Sequence, residues 1–552
     1  MLSYRKLAMR VLGRPPPYGG GIDSPRPASQ RAAALVLTAA MLTTLAAPAF
    51  AKTWYIENGD ITISAGKTEG TNKVSQGSTT DEEDTDTVIT NNNRDTASSH
   101  TVTIDAGNDK VEVTLDNVNI KADSGSALTS NGDVTLTLKG ENHLTGGNGD
   151  TYGGDGITSS GSLTISGGTV TATGGNNTGS DGSGGSGIYS VSGSVAISGG
   201  TVTANGGDGG SGSGSHGGNG IYSSSGVAIS GGAVTANGGD SKDGSGGNGI
   251  YSSGGVTISS GSTVTANGGN GEDGSGGRGI TSNGGVTVSG GTVNAKGGSG
   301  KNGNGGDGIR SFNPVAISGG TVNANGGNSD YSNGGDGIRS LDHVAISGGT
   351  VKSNGGSGNL SGGNGIISYD IDLSGSLELT AKAGSPNGKA LSRVGSELDL
   401  NTIKDKLDPG AKVTATDADG KVIQQVSIPR PVEPEEPSSS SDGGSATPSA
   451  PASFLPGLTV TDKDGQRISY TSIRGNNVLS LRVGRFTASL HASLSTLRQL
   501  RAEGIDTITF QTILCSTTLS VDELLAMGGE DTEVVLTHHI HSSTLTVGGK
   551  AV

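Results

Sequence analysis

Apolar residues alternate with polar ones in short runs along the middle of the chain, and the runs recur at nearly constant spacing. In one copy the apolar residues are Ile250, Val256, Ile258, Val264 and Ala266, and most residues between them are polar or glycine. An alternation of period two is typical of a β-strand with one buried face, whereas a helix repeats every 3.6 residues. Each copy therefore predicts three short strands, separated by Gly, Ser and Asn turns and followed by a Gly-rich loop.

A Gly-Ile pair marks the start of each copy. The isoleucines of these pairs are Ile157, Ile188, Ile221, Ile250, Ile280, Ile309, Ile338 and Ile366. By subtraction they are 31, 33, 29, 30, 29, 29 and 28 residues apart. A period of this size is typical of a solenoid, in which each repeat packs on its neighbours. The sequence therefore predicts an all-β fold, a right-handed parallel β-helix, with one coil of three strands per copy.

The N-terminal segment has the pattern of a secretory signal peptide. It carries six basic residues, then an apolar run at 32–47 and the small-residue motif Ala49-Phe50-Ala51. This pattern predicts a signal peptide at 1–51, a mature chain that starts at Lys52, and a secreted, extracellular protein. A transmembrane helix is the alternative, but the run is short and rich in Ala and Thr. No second run of this kind follows, so we expect no membrane-spanning segment after its removal.

The rest of the chain divides by composition. Residues 52–150 read as irregular N-terminal coils, 151–368 as the regular Gly-rich coils and 369–428 as a C-terminal cap of the β-helix. We expect the acidic run at 81–84 to be a solvated loop.

Beyond the cap, the sequence changes character twice. Residues 429–452 are rich in Pro, Ser and Glu and predict a linker, and 453–552 predict a small α+β module. In that module Leu490, Leu494, Leu497 and Leu500 lie at helical spacing, and Ser520 precedes a second short helix as its cap.

Charge and cysteine content limit the kinds of partner that the chain can bind and the disulfides that it can form. The formal net charge is −15, and removal of 1–51, with six basic residues and one acid, makes it −15 − 6 + 1 = −20. Because phosphate contacts need a basic face, this balance argues against a nucleic-acid partner. The single cysteine, Cys515, leaves no disulfide to form within the chain.

Several motifs resemble a known family. They are Val-Thr-Leu-Asp-Asn-Val-Asn-Ile at 113–120, the Ala-Leu pair at 127–128, Val-Thr-Leu-Thr-Leu-Lys-Gly-Glu-Asn-His-Leu at 134–144, and the Gly-Ile and Ser-Gly-Gly-Thr-Val units that follow. Over roughly residues 100–385 the chain resembles the bacterial extracellular carbohydrate-binding parallel β-helix proteins. The resemblance implies binding of an acidic polysaccharide such as polygalacturonate, association with calcium, and no catalysis.

The residue after each Gly-Ile isoleucine faces outward in this pattern and forms the first candidate site. Tyr189, Tyr222 and Tyr251 occupy it in three consecutive copies, and Arg310 and Arg339 in two later ones. Aromatic faces pack against sugar rings, and arginine pairs with carboxylates, so we predict a sugar-binding column here. The alternative is that an aromatic ladder stabilises the parallel sheet.

The residue before each Gly-Ile pair forms the second candidate site. Asp155, Asp307 and Asp336 occupy it in three copies and are candidate calcium ligands, since Ca²⁺ takes carboxylate oxygens. The alternative is turn formation, for which Asp-Gly and Asn-Gly are well suited. We expect the serines that lie two residues after the isoleucine of each Gly-Ile pair to bond to one another in an inward hydroxyl ladder. An asparagine column at the end of the third strand is expected to form a ladder between coils.

The sequence favours a non-catalytic protein. Catalysis needs one distinct place, whereas binding of a polymer benefits from many equal ones. Glycoside hydrolysis requires a carboxylate pair at a defined separation, and the repeats offer aspartate only at turns. We therefore expect a secreted carbohydrate-binding protein. The alternative is a structural or adhesive rod that displays its C-terminal module to a cell-surface partner.

Overall fold

The structure, a computed structural model, describes residues 52–429 apart from 213, and 457–551 with short gaps at 463–464, 469, 476, 484–486, 513–515, 530–531 and 540–542. The predicted signal peptide, the predicted linker apart from Pro429, and Cys515 lie outside the described residues. The chain divides into two compact units, residues 1–433 and 434–552.

The first unit is a parallel β-solenoid, which confirms the predicted fold class. Each regular coil contributes one strand to each of three sheets, and strands of successive coils pair in parallel and in register. The first sheet contains the Gly-Ile segments. Its strands are Ile157–Ser159, Ile188–Ser190, Ile221–Ser223, Ile250–Ser252, Ile280–Ser282, Ile309–Ser311, Ile338–Ser340 and Ile366–Ser368.

The other two sheets complete each coil. One long strand, Leu163–Thr173, serves both sheets in its coil. The second sheet continues with Ser194–Ile197, Gly226–Ile229, Gly255–Ile258, Val286–Val288, Val315–Ile317, His343–Ile346 and Asp370–Leu373. The third sheet continues with Thr201–Asn205, Gly232–Asn237, Ser262–Asn267, Thr292–Lys296, Thr321–Asn325, Thr350–Asn354 and Glu378–Lys382.

The N-terminal coils are less regular and include antiparallel strands. They comprise the strands Thr53–Tyr55, Ile61–Ala65, Asn72–Gln76, Thr79–Asp84, Val88–Thr90, Val102–Asp116, Asn119–Lys121 and Leu128–Thr145, and a 3-10 helix at Ile56–Asn58. The second, third and fourth strands pair antiparallel. The prediction of a solvated loop at 81–84 is wrong, because these residues end the strand Thr79–Asp84 and Asp84 is fully buried.

The C-terminal end of the solenoid combines short strands with a 3-10 helix. The elements are the strands Leu391–Arg393, Ser396–Glu397, Lys412–Thr416 and Val422–Ser427, and the helix Leu400–Lys406. Asp399 caps this helix by accepting the backbone N–H of Asn401. The last two strands form an antiparallel hairpin. Leu400 and Ile403 pack into the core.

The core of the solenoid is a set of stacked apolar columns. In the first sheet the stacked residues are Ile61, Val102, Leu128, Ile157, Ile188, Ile221, Ile250, Ile280, Ile309, Ile338, Ile366 and Leu391. All of them are buried. The alternation read from the sequence therefore assigns the inward positions correctly.

The inward serines follow a different pattern from the one predicted. Ser190 and Ser223 are fully buried, as expected, but their hydroxyls do not bond to each other. Ser190 donates to the carbonyl of Gly193 at 2.7 Å, and Ser223 donates to the carbonyls of Gly193 and Gly226. The expected hydroxyl-to-hydroxyl ladder is wrong here, because carbonyl oxygens of the turn after the first strand lie within hydrogen-bond distance of each hydroxyl, and a carbonyl oxygen can accept two hydrogen bonds.

The predicted asparagine ladder is present on the outward side of the third sheet. The side-chain amide of Asn237 donates to Asn205 Oδ1 at 2.9 Å, and Asn267 donates to Asn237 Oδ1 at 2.9 Å. Lys296 interrupts this column, and Asn354 again donates to Asn325. These bonds connect successive coils along the rod.

A continuous chain of backbone hydrogen bonds joins glycines at the point where each Gly-rich loop leaves and re-enters its coil. We call it the glycine chain. Each N–H donates to the preceding glycine's carbonyl at 2.7–2.9 Å. Its members are Gly125, Gly147, Gly154, Gly175, Gly185, Gly207, Gly218, Gly239, Gly247, Gly269, Gly277, Gly298, Gly306, Gly327, Gly335, Gly356, Gly363 and Gly384. A Cβ on Gly247 would lie 1.8 Å from the Gly218 carbonyl oxygen, so no other residue fits there.

The described residues of the second unit form two sheets and two helices. One sheet contains Leu458–Thr461, Ala488–Ser493, Glu533–His538, Ser543–Val547 and Lys550–Ala551. The other contains Thr471–Gly475, Val478–Arg482, Thr507–Gln511 and Ser516–Ser520. The helices are Leu494–Ala502 and Val521–Leu525. No helix among the described residues has the length and apolar character needed to cross a membrane.

Two details of the second unit test the helices that the sequence predicts. Leu494, Leu497 and Leu500 are buried on the first helix as predicted, but Leu490 lies in the preceding strand. The helix begins at Leu494 because Ser493 caps it by accepting the backbone N–H of Thr496. Ser520 caps the second helix in the same way through the N–H of Glu523.

Replacement of Ile250 by Asp tests the packing of the solenoid. Ile250 is fully buried in the core, so an unpaired carboxylate there should cost on the order of several kcal/mol. We expect a large loss in the midpoint of urea unfolding followed by circular dichroism. Thr257→Asp is the matched control, since Thr257 is exposed in the same coil. Equal midpoints for the two variants would contradict the assigned register.

Replacement of Gly247 by Ala tests the glycine chain. The added methyl group would overlap the Gly218 carbonyl, and overpacking of this kind costs about 1–3 kcal/mol. Gly199→Ala is the control, because a Cβ at Gly199 meets nothing within 4 Å. We expect thermal unfolding to shift down for the first variant and to stay near the parent value for the second. A tolerated Gly247→Ala would contradict the close approach.

Candidate binding face

The first sheet presents one outward side chain per coil, and three of these are stacked tyrosines. The rings of Tyr189 and Tyr222 have centroids 4.7 Å apart, and those of Tyr222 and Tyr251 are 5.1 Å apart and nearly parallel, with 2° between their planes. All three are partly exposed. Burial, with Tyr222 and Asp155 nearby, raises the pKa of Tyr189, so its phenol stays protonated. The stack is an apolar strip with hydroxyl groups at its edge.

The column continues from the tyrosines into arginines. Tyr251 pairs in register with Thr281, Thr281 with Arg310, and Arg310 with Arg339. Thr281 is buried and donates a hydrogen bond to Asn248 Oδ1 at 3.2 Å. At about 4.8 Å per coil, the ladder from Tyr189 to Arg339 spans about 24 Å. The structure therefore brings the five predicted sugar-binding residues onto one face.

Two buried aspartates lie beside the arginines. Asp307 Oδ2 is 3.5 Å from Arg278 Nε and 3.8 Å from Arg310, and Asp336 Oδ2 is 3.3 Å from Arg339. We call these five residues the charge cluster. The Nε atoms of Arg310 and Arg339 are buried and make no hydrogen bond to the described residues. With three cations and two anions, the cluster carries a surplus of positive charge when both carboxyls are ionised.

Burial perturbs the titration of the charge cluster. It raises the pKa of Asp336 to about 6, and the negative charge of Asp307 acts in the same direction. Burial also lowers the pKa of Arg310, with Arg278 and Arg339 adding repulsion. The favourable Arg339 contact does not offset the loss of water around Asp336. Protonation of Asp336 below about pH 6 therefore makes the cluster more positive.

The three aspartates predicted as calcium ligands do not come together. Asp155 lies five coils from Asp307, about 24 Å along the rod. Each uses Oδ1 to accept a backbone N–H of the next coil, from Ser186 to Asp155 at 2.6 Å and from Asp336 to Asp307 at 2.9 Å. Asp155 Oδ2 accepts a further bond from Thr158. These bonds join successive coils, a role that neither the calcium prediction nor the turn interpretation gave to this column.

These aspartates fit a calcium ion poorly. In the charge cluster the second carboxylate oxygens face guanidinium groups, whose charge repels a cation. The described residues contain no group of three or more His, Cys, Asp or Glu side chains placed to share a metal ion. Calcium binding by this chain stays a prediction.

Three apolar residues that were not predicted from the repeat pattern flank the ladder. Val191, Phe312 and Tyr369 follow the inward serine of their coils and are 47%, 45% and 65% exposed. Phe312 lies under the guanidinium of Arg310, with 5.2 Å from Arg310 Cζ to the ring centroid. The signal was available, since this position also falls once in each repeat. These side chains widen the apolar edge of the face.

Two concave regions lie elsewhere on the solenoid. A groove of about 530 Å³ runs over the stacked Gly-rich loops, and it is lined by Lys242, Glu272 and Lys301 among other polar residues. A second cavity, of about 820 Å³, lies between the antiparallel N-terminal strands and the side of the rod, near Lys67 and Lys139. Their linings are mainly polar and charged.

A buried histidine in the second unit has a structural environment. His538 is fully buried, its ring lies 4.9 Å from that of Phe510, and its nitrogens contact the hydroxyls of Thr512 and Thr517. Burial, with His539 nearby, lowers the pKa of His538, so the ring stays neutral. This environment is that of a satisfied core side chain.

Comparison with known proteins identifies the repeat. Residues 163–187, 195–219 and 315–338 match the family model described as Beta helix repeat. No curated protein and no solved structure matches the chain. The fold and the matched repeats define a parallel β-helix repeat protein. Proteins with such repeats include polysaccharide lyases and glycosylases as well as non-catalytic proteins.

The pKa of Asp336 predicts a pH dependence of stability. Because the folded-state pKa, about 6, lies above the ordinary value of 3.8, the folded state holds its proton more strongly than the unfolded chain. Stability should therefore fall as the pH rises from about 4 to about 6 and then level off. Asp336→Asn should remove this component in urea unfolding, whereas Asp330→Asn, at an exposed loop position, should retain it. The same slope in Asp336→Asn would refute the assignment.

Proposed function

We propose that this protein is secreted and binds an acidic polysaccharide along the first-sheet ladder without cleaving it. The observation that carries the proposal is the in-register column of three stacked tyrosines followed by Arg310 and Arg339. Sugar rings have apolar faces that pack on aromatic rings, and uronate carboxylates pair with guanidinium groups. A column that repeats once per coil suits a polymer whose units also repeat, because neighbouring contacts add through multivalency.

Local charge supports an anionic ligand. The mature chain carries a net charge of −20, by removal of 1–51 from the total of −15. A polyanion is attracted only where the surface is locally positive, and screening limits attraction to about 8–10 Å at moderate salt. The charge cluster supplies such a place, with three guanidinium groups against two carboxylates. The proposal therefore places the acidic units of the ligand at the arginines and other sugar rings at the tyrosines.

Calcium enters the proposal as a secondary partner. The resemblance implies it, and a Ca²⁺ ion can bridge carboxylates of protein and sugar. Asp307 and Asp336 already face arginines, so direct arginine recognition is the better fit to this geometry. We place arginine first, and the binding assay measures calcium dependence separately.

Catalysis is a second candidate function, and one observation favours it. Arg310 lies on the proposed ligand face, and its Nε has no hydrogen-bond partner among the described residues. Burial also lowers its pKa, which is the direction that a general base needs to remove a proton beside a uronate carboxylate. The non-catalytic proposal rests on the repetition of the face. The binding assay therefore includes detection of unsaturated products.

Binding of polygalacturonate to residues 52–552 tests the proposal. We expect Arg310→Ala with Arg339→Ala to weaken binding at least about tenfold, equivalent to about 1.4 kcal/mol, because two carboxylate partners are lost. Tyr222→Ala should weaken it about three- to tenfold through loss of ring packing. Affinity should rise as the pH falls from 7 to 5, since protonation of Asp336 leaves the arginines with less competition. Isothermal titration calorimetry measures all three.

The control variant removes two positive charges from the third sheet, which lies outside the proposed binding face. Lys296 and Lys352 are exposed on the third sheet, and Lys296→Ala with Lys352→Ala should leave the affinity unchanged. Loss of binding in EDTA with recovery in Ca²⁺ would assign recognition to calcium. Release of unsaturated products would overturn the non-catalytic proposal. No binding under any condition would favour the rod that displays residues 453–552 to a cell-surface partner.

A further inference from the structure

A fully buried carboxylate lies at the N-terminal end of the solenoid. Asp84 Oδ2 accepts a hydrogen bond from Trp54 Nε1 at 2.8 Å. Its Oδ1 lies 3.2 Å from the backbone nitrogens of both Lys52 and Asp86. The first described residue of the chain is therefore fixed to Asp84 through its main-chain nitrogen.

No side chain in the described part of the chain balances the charge of Asp84. All three of its donors are neutral as long as Lys52 is preceded by a peptide bond. The Lys52 ammonium lies elsewhere, 2.7 Å from Glu82 and 4.0 Å from the centroid of the Trp54 ring. Among the described residues no Lys, Arg or His side chain forms an ion pair with Asp84. A buried carboxylate without a cation is costly unless the charge is compensated.

We propose that cleavage between Ala51 and Lys52 completes this site, because it places the new α-ammonium of Lys52 on the buried carboxylate of Asp84. The sequence motif Ala49-Phe50-Ala51 marks the same bond independently. Hydrolysis by a leader peptidase consumes one water, leaves a carboxylate on Ala51, and converts the Lys52 amide nitrogen to an ammonium group. The inference rests on the secretory part of the proposed function and not on its polysaccharide ligand.

This arrangement makes maturation a stabilising step for the first coil. The backbone N–H donor at 3.2 Å carries no net charge, whereas the ammonium that replaces it carries a full positive charge, so the same contact becomes an ion pair that compensates the buried carboxylate. The contact fixes the strand Thr53–Tyr55 against the strand Thr79–Asp84, which it does not otherwise pair with. Cleavage before Lys52 thereby stabilises the N-terminal end of the solenoid.

The pH dependence follows from the amino group. An α-amino group has a pKa of about 7.7–8.0 in an unfolded chain, and a buried anionic partner raises it in the folded state. The added stability is therefore complete below about pH 7.7 and is lost as the pH rises through the folded-state pKa. Besides Asp84, the charged groups next to this nitrogen are the Lys52 side chain and its partner Glu82.

The test uses Trp54 as its reporter, since it is the only tryptophan of the chain and is 3% exposed. Residues 52–552, released with a native Lys52 amine from a removable fusion partner, are compared with residues 51–552, which retain Ala51. Acrylamide quenching and thermal unfolding of both are followed by tryptophan fluorescence from pH 7 to 10. At pH 7 we expect lower quenching and a Tm higher by about 2–4 °C for the 52–552 chain. The difference should disappear towards pH 10.

Two variants of the 52–552 chain separate the groups involved. Asp84→Asn should abolish the pH-dependent difference, whereas Glu82→Gln, which removes only the partner of the Lys52 side chain, should retain it. Chains 51–552 and 52–552 that behave alike from pH 7 to 10 would overturn the proposal, and this comparison holds even where Asp84→Asn fails to fold. An exported chain whose mass shows a first residue other than Lys52 would overturn it too. Polysaccharide binding affects neither outcome.

Discussion

The rest of the solenoid depends on the glycine chain, in which glycine backbones of neighbouring segments come into direct contact. This contact occurs at the neck of each coil, the place where the Gly-rich loop leaves and re-enters it. Each loop leaves and returns through glycines whose N–H and C=O groups bond at 2.7–2.9 Å, within a coil and to the next coil in turn. Since a Cβ would overlap a carbonyl at these sites, the necks close only with glycine. Closed necks allow loops of different length to project without disturbing the three sheets, and this explains how repeats of 28–33 residues stack in one register.

Strict register turns each sequence position into a column. Positions that recur in every repeat lie one coil apart, and a spacing of about 4.8 Å suits both ring stacking and side-chain amide ladders. The same geometry therefore yields a structural ladder of asparagines on the third sheet and a tyrosine stack on the first. What distinguishes the first sheet is the change along its column from aromatic to guanidinium groups. The face therefore has an aromatic end and a cationic end.

The charge cluster shows how burial and pairing act against each other. Asp307 and Asp336 orient the arginines and bond to the backbone of the next coil, yet burial raises the pKa of Asp336 to about 6. The arginines gain fixed positions without complete neutralisation. A chain that is acidic as a whole can in this way present a small cationic surface, and the flanking Phe312 ring keeps one side of Arg310 away from water.

The repeat period, the strands and their inward residues were determined by the sequence alone, because alternation and a fixed period depend only on local geometry and stacking. The outward column of Tyr189 through Arg339 followed from the same pattern.

Tertiary structure decided which oxygens the columns bond to. The serines bond to turn carbonyls because the turn after the first strand places those oxygens within reach. The aspartates bond to the next coil and to arginines because stacking brings both within reach. Tertiary structure also decided that Asp84 is buried. An acidic run by itself predicts a solvated loop, and the partners of Asp84, Trp54 and Lys52, lie some thirty residues earlier in the chain. Local pattern fixes which side a residue faces, and only packing between distant segments fixes what it meets there.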